Sequence, residues 1–190
     1  MNKTKRWITL FLALIALSLI GWNIADNSQD DSNSLVKQDD PTYTIGHSQT
    51  LVYNPTGRLD YKLVSDKAAY FTSKELSWFD NPVMTAYDQN HLAGWLIRAN
   101  KAKLTKNRML YLYGQVEVNS LTKKSQLRQI KTDNAIIDLT TQDISSNDRV
   151  TLYGASFNST GMRMRGNLRE NSARLIEKVK TCYEITKLQS

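Results

Sequence analysis

Cysteine is almost absent from this chain. Cys182 is the one cysteine among 190 residues, so no internal disulfide framework holds the fold together. Its expected place is that of a small apolar residue in a strand. Histidine is nearly as scarce: His47 and His91 lie far apart, with no cysteine or carboxylate at ligand spacing. Neither a metal site nor a cofactor is expected. The glycine loop that cradles phosphate is missing, and so is the G-x-S-x-G signature of a nucleophile elbow. Asp133 and Asp138 could act as paired acids, but aspartates at strand ends are more often turn formers. With no nucleophile–base set in view, the chain is not read as an enzyme.

Long apolar runs are also lacking, with one exception. From Trp7 to Ala25 only Thr9, Ser18, Gly21 and Asn23 interrupt the run. A helix of that length rises ~28 Å, close to the ~30 Å hydrocarbon slab of a bilayer. Lys3, Lys5 and Arg6 precede it, and Asp26, Asp30 and Asp31 follow. Basic residues before the span and acids after it put the N-terminus in the cytoplasm and the remainder outside. A cleaved signal peptide needs small residues just before the cut, and Trp22, Asn23 and Ile24 fit that poorly. Trp7 and Trp22 sit where interfacial aromatic anchors belong. The expectation is a permanent single-pass anchor over 7–25, a cytoplasmic tip over 1–6 and a polar acidic linker over 26–41, "DNSQDDSNSLVKQDDP". Residues 42–190 then form one domain.

That domain carries 21 Lys and Arg against 13 Asp and Glu, a net charge of +8. A basic domain favours anionic partners. Nucleic acid is the usual one, but outside the cytoplasmic membrane the anions are lipid phosphates and acidic sugars, so no nucleic acid is expected.

Beyond Tyr43 no helix of any length is signalled. Strand alternation recurs instead. Leu59, Tyr61 and Leu63 share a face. So do Leu110, Leu112, Gly114, Val116 and Val118, then Ala135, Ile137 and Leu139, and finally Val179, Thr181, Tyr183 and Ile185. Turn signals separate the runs at Asn54-Pro55-Thr56-Gly57, Asn81-Pro82 and Asn158-Ser159-Thr160-Gly161. In "STGMRMRGNLRENSARL", Met162, Met164 and Leu168 alternate with Arg163, Arg165 and Arg169. That strand is either an ordinary surface strand with solvated arginines, or part of a sheet whose apolar face holds a ligand and whose fringe is basic.

An internal period is visible as well. An Asp/Asn-Lys/Asn-Ala tripeptide ends at Ala68, Ala102 and Ala135, spaced 34 and 33 residues. An aromatic-plus-turn element follows at Phe79-Asp80, Tyr113-Gly114 and Tyr153-Gly154, which places Gly114 and Gly154 at equivalent positions. Repeats of this length usually stack and bury a shared apolar face. Each copy here predicts a couple of antiparallel strands laid on the last, giving an elongated, two-walled, jellyroll-like trough. The stack has two ends with unpaired edges. Such edges are either blunted or used for docking by strand addition. "TLVYNP" belongs near one end and "LIEKVKTCYEI" near the other.

The N-terminal anchor, "DPTY", "LVYNPTGRLDYKL", "NRMLYLYGQVEVNSL", "QIKTDNA", "RVTLYGASFNSTGMRMRGNLR" and "ARLIEKVKTCYEI" together closely resemble the LptC family, the bitopic inner-membrane subunits of the lipopolysaccharide export machine of Gram-negative bacteria. It implies a periplasmic antiparallel β-jellyroll of the OstA-like kind, open along one side, that accepts the acyl chains of lipopolysaccharide. It further implies docking at the N-terminal end to an ATP-driven ABC transporter complex, whose ATPase the membrane helix modulates. At the C-terminal edge lipid would pass to a soluble bridge protein. By local motif, lipid would be met at Phe79 in "SWFDNP", Ala173 in "NSARL" and Tyr183 in "TCYEI", with Ser48 in "GHSQTLVYNP" at the inlet. Gly57, Gly154 and again Tyr183 would serve assembly and partner contact.

Each acyl methylene taken out of water is worth ~0.8 kcal/mol, so an apolar trough suits a many-tailed lipid. Such a trough is expected to be loosely filled. The competing expectation is a structural adaptor that joins proteins by both edges and never touches lipid.

Overall fold

The computed structural model describes residues 40–54, 56–88, 92–122 and 125–183. The expected span over 7–25 and most of the linker lie outside them. The chain divides into Met1–Asp40 and Pro41–Ser190, and all of the described regular structure belongs to the second unit. Apart from one 3-10 turn at Thr72–Lys74, that structure is β: β1 (Tyr43–Tyr53), β2 (Leu59–Phe71), β3 (Leu76–Asp80), β4 (Val83–Tyr87), β5 (Ala93–Arg98), β6 (Lys101–Thr105), β7 (Met109–Ser120), β8 (Leu127–Asp138), β9 (Asp143–Gly154), β10 (Phe157–Asn167) and β11 (Ser172–Tyr183).

The strands pair in the order β11-β10-β9-β8-β7-β5-β4-β2-β3-β6, with β1 on β2 and β6 also on β7. This becomes a plain meander once β3 and β4 are seen as halves of one bent strand. β5 and β6 are the halves of the next. The first break falls at Asn81-Pro82, where proline has no N–H to give a ladder. The second is Ala99-Asn100, held to the first by Asn81 N donating to Asn100 O at 2.9 Å.

The other long strands bend at the same level. Backbone φ turns positive at His47, Asn81, Gly114, Gln115, Arg163 and Lys178. Register slips between Tyr113 and Val116, between Thr132 and Ile136, and between Met162 and Met164. Bulges of this kind let a strand leave one wall and enter the other. Gly114 is required at its bend: φ is +73°, and a Cβ there would lie 2.7 Å from Asn100 Nδ2. Short polar side chains tie the bend together. Asn81 Nδ2 donates to Asp66 Oδ2 at 2.9 Å, and Asn134 Nδ2 to Asp148 Oδ2 at 2.7 Å.

Two walls result. The first contains β3, β6 and the half-strands beside them, from residues 43–46 of β1 to 172–177 of β11. The second contains β4, β5 and the opposite halves, from 48–53 to 179–183. On the first wall the hairpin turns each carry a left-handed residue, Glu75, Arg108, Gln142 and Asn171, spaced 33, 34 and 29 residues. That is the structural form of the repeat. The turns also bond to each other, Leu139 N donating to Arg108 O at 3.0 Å and Leu168 N to Gln142 O at 2.9 Å.

The expected all-β, elongated antiparallel architecture is present, but its middle is not loosely filled. Leu63, Ile97, Leu112, Val118, Ile137, Val150 and Met164 are buried between the walls. The bends bring the two inner faces together, and their side chains interdigitate. Burying each such residue fully is worth roughly 1.5–3 kcal/mol.

The Met/Arg alternation is also interrupted. The bulge at Arg163 turns Met164 into the core, while Met162 lies on the outer face opposite Arg149 and Glu177. The three arginines separate as well. Arg163 sits at the bend and pairs with Glu177 at 2.8 Å. The Arg165 guanidinium, on the outer face, donates to Met164 O at 2.9 Å. Arg169 belongs to a turn of the first wall. Asp138 likewise forms a turn, its Oδ1 accepting from Thr140 N at 2.8 Å.

Candidate functional site

The inner face is organised by rows that cross the strands. One row runs Ile45, Ala68, Phe79, Ala102, Leu112, Ala135, each residue directly opposite the next. The three repeat alanines thus fall in one row, because a repeat is two strands long and every second strand returns to the same level. Small and large side chains alternate along it. Phe79 fills the space its alanine neighbours leave and is 5% exposed.

Beside the bend the inner face carries hydroxyls, and they are paired. Ser48 Oγ lies 2.7 Å from Ser65 Oγ, Thr132 Oγ1 2.9 Å from Ser146 Oγ, and Ser159 Oγ 2.8 Å from Thr181 Oγ1. Among the described residues every buried side-chain nitrogen and oxygen has a partner, as a dry interior demands. Tyr61 enters the same interior near the rim. Burial pushes its phenol above the ordinary value, and the charge and hydrogen bond of Arg108 partly offset that.

The interior changes character at its two ends. On β1, Tyr43 and Ile45 continue the inner face opposite Tyr70 and Ala68, yet both are exposed. On β11, Val179 and Tyr183 do the same beyond the bulge at Lys178, and Tyr183, opposite Phe157, is 73% exposed. Each terminal strand pairs on one side alone among the described residues. The apolar surface is closed in the middle and bare at both mouths.

The site residues expected from sequence take up distinct places. Ser48, Phe79, Ala173 and Tyr183 all belong to the inner face, but no single pocket gathers them. Ser48 follows the bend of β1. Phe79 is in the core of the first wall. Ala173 is half-buried opposite Gly166, and Tyr183 stands at the far mouth. Gly57 lies in the β1–β2 turn with φ +77° and open space around it, its N–H donating to Asn54 O at 2.9 Å. Gly154 is not equivalent to Gly114. It ends β9 at a hairpin, and a Cβ there would run into the Phe157 ring. The aromatic ring therefore lies on the glycine and fills the space a side chain would take.

Sequence reasoning missed Trp95. Its indole Nε1 donates to Leu168 O at 2.8 Å, across the rim between the walls. The available signal was a tryptophan in an alternating run, whose N–H needs a partner once buried. Nothing local names that partner, 73 residues away in sequence.

Comparison with known proteins agrees with this geometry. Residues 12–184 match the family described as Lipopolysaccharide-assembly, LptC-related. The chain is 51% identical over 190 residues to the lipopolysaccharide export system protein LptC of Escherichia coli strain K12, covering 100% of this chain and 99% of that one. It is 37% identical over 201 residues to LptC of Haemophilus influenzae strain Rd, covering 96% of each. The fold is similar to that of LptH from Pseudomonas aeruginosa, the LptA-homologous periplasmic component of a lipopolysaccharide transport device. That match has a TM-score of 0.54 at 7% identity and covers 66% of this chain and 95% of the other. The chain belongs to the LptC-related family of lipopolysaccharide-assembly proteins.

Proposed function

We propose that this protein is a non-catalytic link in the lipopolysaccharide transport bridge, anchored in the inner membrane by residues 7–25. Residues 1–6 lie in the cytoplasm, 26–41 form the linker, and 42–190 work in the periplasm. Acyl chains of lipopolysaccharide, extracted by the ATP-driven transporter, pass along the inner face from Ser48 and Phe79 towards Ala173 and Tyr183. The N-terminal edge joins the transporter, the C-terminal edge joins the bridge protein, and the membrane helix modulates the ATPase. Gly57 and Gly154 serve these contacts.

The observation that carries this reading is the exposed apolar continuation of the inner face at both mouths, at Tyr43 and Ile45 and again at Val179 and Tyr183. Exposed apolar residues at the open ends of a sheet stack fit an occupant that runs through it. Photo-reactive groups at Phe79 and Tyr183 should capture lipopolysaccharide while the transporter runs. Silence at both positions sinks the reading.

The packed middle and the two free edges favour a second reading, a structural adaptor that binds proteins by strand addition without carrying lipid. A charged residue at the exposed position Tyr183 separates the two. An adaptor that pairs by backbone tolerates it, whereas a conduit stalls at its outlet.

A further inference from the structure

The two walls turn different outer faces to solvent. The outer face of an antiparallel sheet is ordinarily polar. That of the second wall follows the rule, with a row of Arg98, Glu117, Lys131 and Thr151 in which Lys131 pairs with Glu117 at 2.7 Å. The first wall departs from it. Trp78 of β3 and Tyr113 of β7 reach over β6 towards each other, with ring centroids 5.7 Å apart and planes 28° from parallel. Lys103 stands on β6 between Trp78 and Tyr111. Its ammonium lies 4.5 Å from the Tyr111 ring centroid and 5.9 Å from that of Trp78. Ile136 on β8 extends the cluster opposite Tyr111. All of these side chains are half-buried.

The charge around the cluster is one-sided. The row through Trp78 and Lys103 ends in Arg165 and Arg174, which face each other on β10 and β11. In the row beside it, Lys67 and Lys101 stand on either side of Asp80. Lys101 is 3.9 Å from that carboxylate, and both side chains are in contact with solvent. The two rows thus set five cations against one acid, which selects an anionic occupant.

Tryptophan and tyrosine beside lysine suit a membrane–water interface. The rings are apolar with a polar handle, and lysine lays its stem on apolar surface while its ammonium reaches out to phosphate. The chain also enters the domain on this wall. Thr42 N donates to Tyr70 O at 2.8 Å, and Thr42 Oγ1 accepts from Thr72 N at 3.0 Å. From there β1 is two strands away from Trp78. Residues 26–41 span at most about 55 Å. A domain tethered so closely to an anchor over 7–25 meets the bilayer at high effective concentration, so a weak contact is enough to hold it there.

We propose that the outer face of the first wall, centred on Trp78, Lys103 and Tyr111, is a docking surface for the anionic bilayer in which the chain is anchored. The inference rests on the anchor of the proposed function and is independent of lipid passing along the inner face. The rings enter the headgroup zone, and Lys67, Lys101 and Lys103 lie on lipid phosphates. Neither free edge strand takes part, so both ends stay open to partners.

The test uses the full chain with Cys182→Ser, reconstituted into vesicles of phosphatidylcholine with or without phosphatidylglycerol. One thiol is introduced at a time and labelled with a fluorophore. Ser145→Cys lies on the outer face of the first wall, between Ile136 and Arg165, and Thr85→Cys on that of the second, opposite Lys62. Lipids spin-labelled at the headgroup quench whichever label lies at the bilayer. The expected result is strong quenching at position 145 with phosphatidylglycerol present, little without it, and little at position 85 in either case. Lys101→Gln combined with Lys103→Gln should lower the docked-to-undocked ratio by up to about 25-fold, about fivefold for each lysine at an anionic lipid surface. Added salt should release the unmodified face in the same way. Equal quenching at 145 and 85 overturns the docking surface, as does quenching at 145 that ignores phosphatidylglycerol and the two lysines. Silence of both labels in protein that floats with the vesicles also overturns it, while leaving the anchor in place. Protein that does not float with them sinks the anchor and the docking together.

Discussion

Ala102 faces Phe79 directly across the β3–β6 ladder, and the alanine is completely buried. On its other strand neighbour Phe79 meets a second alanine, Ala68. The ring thus fills a space that neither neighbour can reach. Phe79→Ala should open a cavity and destabilise the fold by about 3–5 kcal/mol. Ala102→Leu in the native background should cost about 1–3 kcal/mol through overpacking. In the double variant the leucine can occupy the vacated ring space, so the combined loss should be smaller than the sum of the two. Urea unfolding of all three variants checks this, and simple additivity would mean that the pair does not share one space.

The hydroxyl pair Thr132–Ser146 is a second coupled unit. Ser146 Oγ also accepts from Asp148 N at 3.2 Å, so it ties the interior to the bend. Ser146→Ala leaves that N–H without its partner and leaves the Thr132 hydroxyl with its bond to Asn134 O at 3.3 Å alone, and it should cost about 1–3 kcal/mol. Thr132→Val in the same protein removes the hydroxyl that has lost its Ser146 partner. A double-mutant cycle should therefore give a coupling of at least about 0.5 kcal/mol, and a zero value would place the two hydroxyls in independent environments.

How far these features could be read from the sequence depends on how local their cause is. Ala68, Ala102 and Ala135 were legible as a repeat because the meander returns to one level every two strands. The same logic failed for Gly114 and Gly154. Both follow a tyrosine, but one occupies a bend and the other a hairpin end. Strict alternation places Met162 and Met164 on one face. A left-handed arginine between them breaks it, and arginine, unlike Asn, Asp or His, is not a residue whose type signals positive φ. The packed middle was missed because the bends set the gap between the walls, and periodicity carries no information about that gap. Of the site, the face of Tyr183 follows from its alternation with Val179 and Thr181, whereas that of Phe79 is implied by the family resemblance alone, because Trp78 beside it is equally apolar. The rim contact of Trp95 with Leu168 follows from neither, because it depends on how two distant turns meet.

Gly154 gives a sharper steric test. Its missing side chain makes room for the Phe157 ring, which packs against the core from the second wall. Gly154→Ala must displace that ring and should cost about 1–3 kcal/mol. Phe157→Ala removes the obstacle, so Gly154→Ala made in that background should cost much less. Melting temperatures of the four proteins decide the matter. An unchanged penalty without the ring would trace it to the backbone instead.

Asp143 gives the fold an acid-sensitive point. Hydrogen bonds from Thr141 Oγ1 at 2.7 Å and Asn167 Nδ2 at 2.7 Å hold its carboxyl below the ordinary carboxylate value, with burial opposing them. A lowered folded value means that the unfolded chain takes up the proton first. The associated stability is fully present above the unfolded value of about 3.9 and is lost as pH falls through the lower folded value. Asn167→Ala should move the titration of Asp143 upward and shrink that pH-dependent loss. Carboxyl NMR shifts followed from pH 6 to about 2 measure both, and an unmoved titration would assign the shift to Thr141 alone.

The free edge of β11 carries the last prediction. Its partner is β10 alone, and Tyr183 pairs with Phe157 on the final described rung. The residue is largely solvent-exposed, so Tyr183→Pro removes one backbone donor with little loss of packing. Away from the core such a change should alter folding stability by no more than about 1 kcal/mol. A partner that docks by extending the sheet depends on the regularity of this rung, so binding at the C-terminal end should fall sharply. Binding at the β1 end, at the opposite end of the stack, should persist. Pull-down of each partner with the same protein reads both ends at once. Loss of both would indicate misfolding, and retention of both would show that the C-terminal contact does not use this edge.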